Sequence, residues 1–155
     1  MAREPLPVGA RLPEVMLEGP EGRLTLAEIR NGHALVIAFY VEDKTPTCAA
    51  QLSALGADLK LIEQCGARLV AISSDSTESH ASFREEQRFA FPLLTDSSLE
   101  VARAFGVADE TTGRCTRAVF VSDRAGRIVE AIPHYNPANL SQYAAVFASL
   151  GLDPS

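Results

Sequence analysis

Polar and apolar residues follow two periods along this chain, and each change of period marks an element. The stretch Ala34-Leu35-Val36-Ile37-Ala38-Phe39-Tyr40 is apolar without interruption, which predicts a strand buried on both faces. After Thr45-Pro46-Thr47 the apolar residues Leu52, Leu55, Leu59 and Ile62 fall three and four apart, predicting one helix stopped by Gly66. Leu69-Val70-Ala71-Ile72 predicts a second buried strand, and Asp75-Ser76-Thr77 the start of a helix over 78–88 with Phe83 on its apolar side. A short strand over 91–94 and a helix over 98–105, closed by Gly106, follow.

Both ends of the chain depart from this alternation. Before Arg30, apolar stretches around Val15-Met16-Leu17 and Leu24-Thr25-Leu26 flank Gly19-Pro20-Glu21-Gly22, as a small hairpin or two irregular strands joined by a turn would. After 105, strands over 117–122 and 127–132 are joined by the turn Asp123-Arg124-Ala125-Gly126. Asn136-Pro137 opens a last helix that runs to Leu150 and stops at Gly151. No repeat or linker divides the sequence, so a single domain over 1–155 is expected. The element order describes an α/β fold with a mixed central sheet flanked by helices and an N-terminal hairpin extension. The thioredoxin-like architecture has that order.

Charge narrows the function classes. Fourteen Lys and Arg against 20 Asp and Glu give a net charge of -6, which argues against a nucleic-acid or anionic-membrane surface. The longest apolar run, 34–41, is far short of the roughly 20 residues a membrane helix needs. The opening MAREPLPVGARLPEV has no apolar core of a signal peptide, so a cytoplasmic, reducing setting is expected. His33, His80 and His134 lack Cys or carboxylate at ligand spacings, so no metal site is expected. No phosphate-binding loop, dinucleotide fingerprint or Cys-x-x-Cys occurs, and Ser73-Ser74-Asp75 lacks the turn of a nucleophilic serine.

Three cysteines, Cys48, Cys65 and Cys115, are too few for a disulfide framework and cannot pair completely within one chain. Cys48 lies in Tyr40-Val41-Glu42-Asp43-Lys44-Thr45-Pro46-Thr47-Cys48-Ala49-Ala50-Gln51, where a buried strand gives way to a helix on the carboxyl side of the sheet. Unpaired N–H groups in the first helical turn stabilise a thiolate there. A buried, inert cysteine fits the same position, so the residues alone leave both readings open.

This run resembles the peroxiredoxin active-site loop P-x-x-x-T-x-x-C, in the T-P-x-C-x-x-Q form of the Q-type, or bacterioferritin-comigratory, branch, with Thr45, Cys48 and Gln51 at its spacings. The block Arg117-Ala118-Val119-Phe120-Val121, Asp123 and Gly126 is similar to the family's R-x-x-F-x-x-D-x-x-G strand and turn. Val8-Gly9-Ala10 with Pro13, and Phe91-Pro92-Leu93-Leu94-Thr95-Asp96, also match family positions. The motif's first proline is Val41 here, which keeps an apolar wall without the fixed φ.

The resemblance implies a thiol peroxidase without a cofactor, acting on hydrogen peroxide or organic hydroperoxides. Cys48 would become a sulfenic acid, with Arg117 and Thr45 catalytic and Gln51 tethering Arg117 or the loop. From the residues alone, Arg117 has the alternative of a surface ion pair, against which the apolar flanking strand argues, and Gln51 that of an exposed helix position. The helix cysteine that many Q-type members carry five residues after the first is Ser53 here. Cys65, at the predicted helix end, is expected to be structural. Cys115 would share a face with Arg117 if the strand already runs there, and is the candidate resolving cysteine. The leading expectation is a one-cysteine cycle completed by an external thiol or thioredoxin-like donor, in a monomer or homodimer. The competing expectation is a non-enzymatic thioredoxin-fold redox sensor or binding protein with weakened peroxidase activity.

Overall fold

The computed structural model describes residues 4–151, so the ends of the domain expected over 1–155 lie outside the described residues. Strands β1 (Met16–Gly19) and β2 (Gly22–Thr25) form the N-terminal hairpin, turning at Gly22 with φ +125°. Helix α1 (Leu26–Arg30) follows at once, an element the sequence pattern did not reveal. Thr25 accepts the Glu28 N–H while the Glu28 carboxylate accepts the Thr25 N–H, and this capping box turns the chain into a helix.

The middle of the chain supplies β3 (Ala34–Phe39), β4 (Ala67–Ser73) and β5 (Leu93–Thr95), paired in parallel. Strand β8 (Ala118–Ser122) runs antiparallel to β3, and β9 (Ile128–Ile132) antiparallel to β8. Among the described residues the main sheet has the order β2-β1-β5-β4-β3-β8-β9 and is mixed. Two-residue strands β6 (Ala108–Asp109) and β7 (Arg114–Cys115) form a separate small hairpin that the sequence pattern did not reveal.

The helix predicted from Thr47 to Gly66 is two helices, α2 (Pro46–Ala57) and α3 (Leu59–Gln64). Asp58 leaves helical geometry between them (φ -104°, ψ 17°), and its carboxylate receives the Tyr143 hydroxyl. Ile62 remains buried beyond the break and Leu59 still packs on the core, so the apolar spacing ran straight through it. Helices α4 (Thr77–Gln87), α5 (Glu100–Phe105) and α6 (Leu140–Ser149) complete the fold. The last begins at Leu140 rather than at Pro137, because Asn139 caps it by accepting the Gln142 N–H.

Alternate residues of β3 point into two cores. Val36, Ala38 and Tyr40 face a cluster with Cys48, Leu52 and Leu55 of α2, Phe83 of α4 and Phe147 of α6. Leu35, Ile37 and Phe39 face a second cluster with Leu26 of α1, Phe105 of α5 and Phe120 of β8. Within the second, the Phe39, Phe105 and Phe120 rings pack with centroids 5.0–5.9 Å apart.

Candidate active site

Strand register explains why the candidate residues meet. Strands β3 and β4 end at the same edge of the sheet, with Phe39 opposite Ile72. Antiparallel β8 begins at that edge, with Ala118 opposite Phe39. Arg117, one residue before β8, therefore emerges beside the loop that links β3 to α2. That loop ends at Thr45, the N-cap of α2, whose φ and ψ are extended. Pro46 occupies the first helical position, where a missing N–H costs nothing, and Cys48 lies in the first turn.

Cys48 is 1% exposed, and its sulfur accepts a hydrogen bond from Arg117 Nη2 at 3.1 Å. A second nitrogen of the same guanidinium, Nε, donates to Gln51 Oε1 at 3.0 Å. Gln51 is itself 1% exposed, and its Nε2 donates to the Phe39 carbonyl at 3.4 Å. One turn of α2 thus presents Cys48 and Gln51 together to one planar fork. Neither the surface ion pair nor the exposed glutamine, the plain readings of Arg117 and Gln51, describes these positions.

Burial pushes the Cys48 thiol up, but hydrogen bonding outweighs it. Thr45, the backbone of Glu42 and Val41, and Arg117 together hold the thiol below the ordinary range. The Thr45 hydroxyl also lies 3.0 Å from the Glu42 carbonyl. It has one proton, which serves either that oxygen or the sulfur. The arrangement is a buried, ionisable sulfur faced by a permanent cation and by donors, which is what a thiolate nucleophile needs.

The other cysteines stand apart. Cys115 pairs with Ala108 in the small hairpin, is buried, and packs in the cluster on the opposite face of the sheet from Cys48. The chain leaves strand geometry at Thr116, whose N–H donates to the Val107 carbonyl, before β8 begins at Ala118. The shared face expected for Cys115 and Arg117 rested on a strand that does not run through 117. Burial, then the charges of Asp96 and Asp75, push the Cys115 thiol far up. Cys65 ends α3 and is only half-buried, so it caps a helix instead of filling the core.

Sequence reasoning missed one group of residues. His80, isolated in the sequence, is buried with its Nδ1 2.8 Å from Asp43 Oδ2, and the Tyr40 hydroxyl donates to Asp43 Oδ1 at 2.5 Å. The only sequence signal was the placement of Asp43 inside the loop. Among the described residues, no cluster of His, Cys, Asp and Glu could hold a metal ion.

Comparison with known proteins identifies the family. The AhpC/TSA family pattern matches residues 8–131. Peroxiredoxin Bcp of Xanthomonas campestris is 35% identical over 116 residues, covering 71% of this chain and 72% of the relative. The chloroplastic peroxiredoxin Q of Sedum lineare is 33% identical over 76% of this chain, which spans 64% of that longer protein. The crystal structure of peroxidoxin BcpB from Mycobacterium tuberculosis superposes with a TM-score of 0.85 at 25% identity, covering 96% of this chain and 98% of that one. A Xanthomonas campestris peroxiredoxin Q structure gives 0.75 at 32% identity, covering 88% and 89%. The chain thus belongs to the AhpC/TSA family and is a peroxiredoxin, a thiol peroxidase of the oxidoreductases, similar to the Bcp and Q-type members.

Proposed function

We propose that Cys48 is the peroxidatic nucleophile of a one-cysteine cycle on hydrogen peroxide or organic hydroperoxides. The Cys48 thiolate attacks the terminal peroxide oxygen; an S–O bond forms and the O–O bond breaks. The attacked oxygen keeps its proton as Cys–SOH, and the departing alkoxide or hydroxide takes a proton from solvent. Arg117 stabilises the thiolate and the charge that spreads along the O–O bond, while Gln51 keeps the guanidinium turned toward the sulfur. Thr45 supplies a hydroxyl for the incoming peroxide. The contact that carries this reading is Arg117 Nη2 at 3.1 Å from Cys48 Sγ.

Recycling falls to an external donor. The first of two thiols, on a small molecule or a thioredoxin-like protein, displaces hydroxide from the sulfenic sulfur, and the second releases Cys48 as thiolate while the two donor sulfurs form a disulfide. Three features support this cycle: Ser53 replaces the helix cysteine of many Q-type members, α4 contains no cysteine, and Cys115 is buried on the other face of the sheet. Such a cycle suits the cytoplasm, where thiols are kept reduced. Among the described residues no helix is long and apolar enough to cross a membrane.

Stopped-flow oxidation of the reduced protein tests the nucleophile. Cys48 should react far faster than free cysteine, and Cys48→Ser should abolish the reaction. Non-reducing mass spectrometry after one equivalent of peroxide tests the cycle: a sulfenic acid on Cys48 is expected. An intramolecular Cys48–Cys115 disulfide would overturn the one-cysteine reading.

A further inference from the structure

The loop between β3 and α2 is tied from outside at three successive residues. Arg114, from the small hairpin, reaches the Val41 carbonyl at 3.4 Å, the Glu42 carboxylate at 3.3 Å and Asp75 Oδ1 at 3.3 Å. Asp75 Oδ2 in turn accepts the Asp43 backbone N–H at 2.9 Å. The densest tie is the Asp43 side chain. Its carboxylate accepts the Tyr40 hydroxyl at 2.5 Å, the Ser79 hydroxyl at 2.7 Å and His80 Nδ1 at 2.8 Å. The other ring nitrogen of His80 lies 3.1 Å from the Leu94 carbonyl, so α4 and β5 are bound into the same network.

This is an expensive way to close a strand-to-helix connection. A buried carboxylate is tolerated only when its oxygens are saturated, and polar or glycine residues would make the turn without that cost. None of Tyr40, Asp43 or His80 is hydrogen-bonded to Cys48. What they fix is the loop that runs into the N-cap of α2 three residues before Cys48, whose backbone at 41 and 42 and Thr45 hydroxyl help hold the thiol below its ordinary range. With valine at 41, no ring fixes φ at the head of the loop.

We propose that Asp43, held by His80, Tyr40 and Ser79, is a positioning residue that sets the loop so that its donors converge on Cys48. The activity side of this proposal rests on the peroxidase reading of Cys48; the ionisation side does not. If the buried carboxylate is lost, the fold persists through its two cores, but the loop relaxes and the thiolate loses donors.

Asp43→Asn tests this with a near-isostere whose amide turns a donor toward groups that must donate. Cys48 ionisation is read from thiolate ultraviolet absorbance and from alkylation rate against pH, with circular dichroism and Tm recorded in parallel. The expected result is an upward shift of the Cys48 pKa by about one unit and a peroxide rate at neutral pH about tenfold lower, in a folded protein. Tyr40→Phe keeps its ring against Phe83 and removes one hydroxyl, so a smaller shift of the same sign is expected; it carries the test if Asp43→Asn does not fold. A lowered Tm with unchanged Cys48 ionisation in the folded variant would reduce the network to a structural role and overturn the proposal. Shifted ionisation in a protein that never reacts with peroxide would sustain the positioning role and defeat the peroxidase reading instead.

Discussion

Arg117 Nη2 and Cys48 Sγ stand 3.1 Å apart although 69 positions separate the residues in the chain. The contact depends on planarity, because Gln51 holds Nε of the same guanidinium at 3.0 Å and so aims Nη2. Lysine at 117 would keep the charge and lose this double engagement. Arg117→Lys should therefore slow peroxide oxidation about 100-fold, in the range for losing one oriented donor. Arg117→Met should slow it further and raise the Cys48 pKa more. Second-order rate constants for the three proteins decide this; parity of Lys with Arg would show that charge alone suffices.

The rate should track a thiol held below the ordinary cysteine value of about 8.5. Only the thiolate attacks, so the rate is full above the folded pKa and falls as pH drops through it. The same depression is linked to stability. A group whose folded pKa lies below its unfolded value adds stability that is fully present above the unfolded thiol value and is lost as pH falls through the folded one. The stability difference between wild type and Cys48→Ser should grow in favour of wild type from neutral to alkaline pH, as read from denaturant midpoints. A difference independent of pH would contradict the depressed thiol.

Val41 keeps a backbone N–H that proline would lack, and the backbone there helps hold the Cys48 thiol down. Val41→Pro should raise the Cys48 pKa, measured by pH-dependent alkylation, even though the ring stiffens the loop. An unchanged or lower pKa would mean that loop rigidity outweighs the lost donor.

Cys115 packs in the cluster that holds Phe39, Phe105 and Phe120. Cys115→Ser puts a hydroxyl there without a partner and should cost about 1–3 kcal/mol of stability, seen as a lower denaturant midpoint. Cys115→Ala should leave peroxide oxidation of Cys48 at the wild-type rate, by stopped flow. In the folded wild type, alkylation at neutral pH should label Cys48 and spare Cys115.

Local pattern carried the architecture and long separation hid the rest. The strand at 34–39 was legible because it is buried on both faces, and α2 because its apolar residues share one side. The break at Asp58 was not, since Tyr143, which holds it, comes from the far end of the chain. Cys48, Thr45 and Gln51 were legible as neighbours in one short run, and Arg117 through the family's second block. The Asp43–His80 pair was invisible because its members stand 37 positions apart in the chain. The suggestion that Cys115 faces Arg117 failed on a local event, the departure from strand geometry at Thr116, which has no signature in residue type.

A sulfur that is 1% exposed sets two different clocks. A peroxide is only a few atoms across and needs little opening to meet the Cys48 thiolate, so on the proposed cycle oxidation would be timed by charge. On the proposed cycle, a reducing protein would have to bring its own sulfur into line with the sulfenic sulfur, so the buried Cys48 side chain would have to come within its reach. Thr45 makes no side-chain cap to the first turn of α2. On the proposed cycle, the helix start that concentrates donors on the thiolate would also be the part that yields to the reducing thiol. A variant that fastened it more tightly would then be expected to slow the second half-reaction while leaving the first intact.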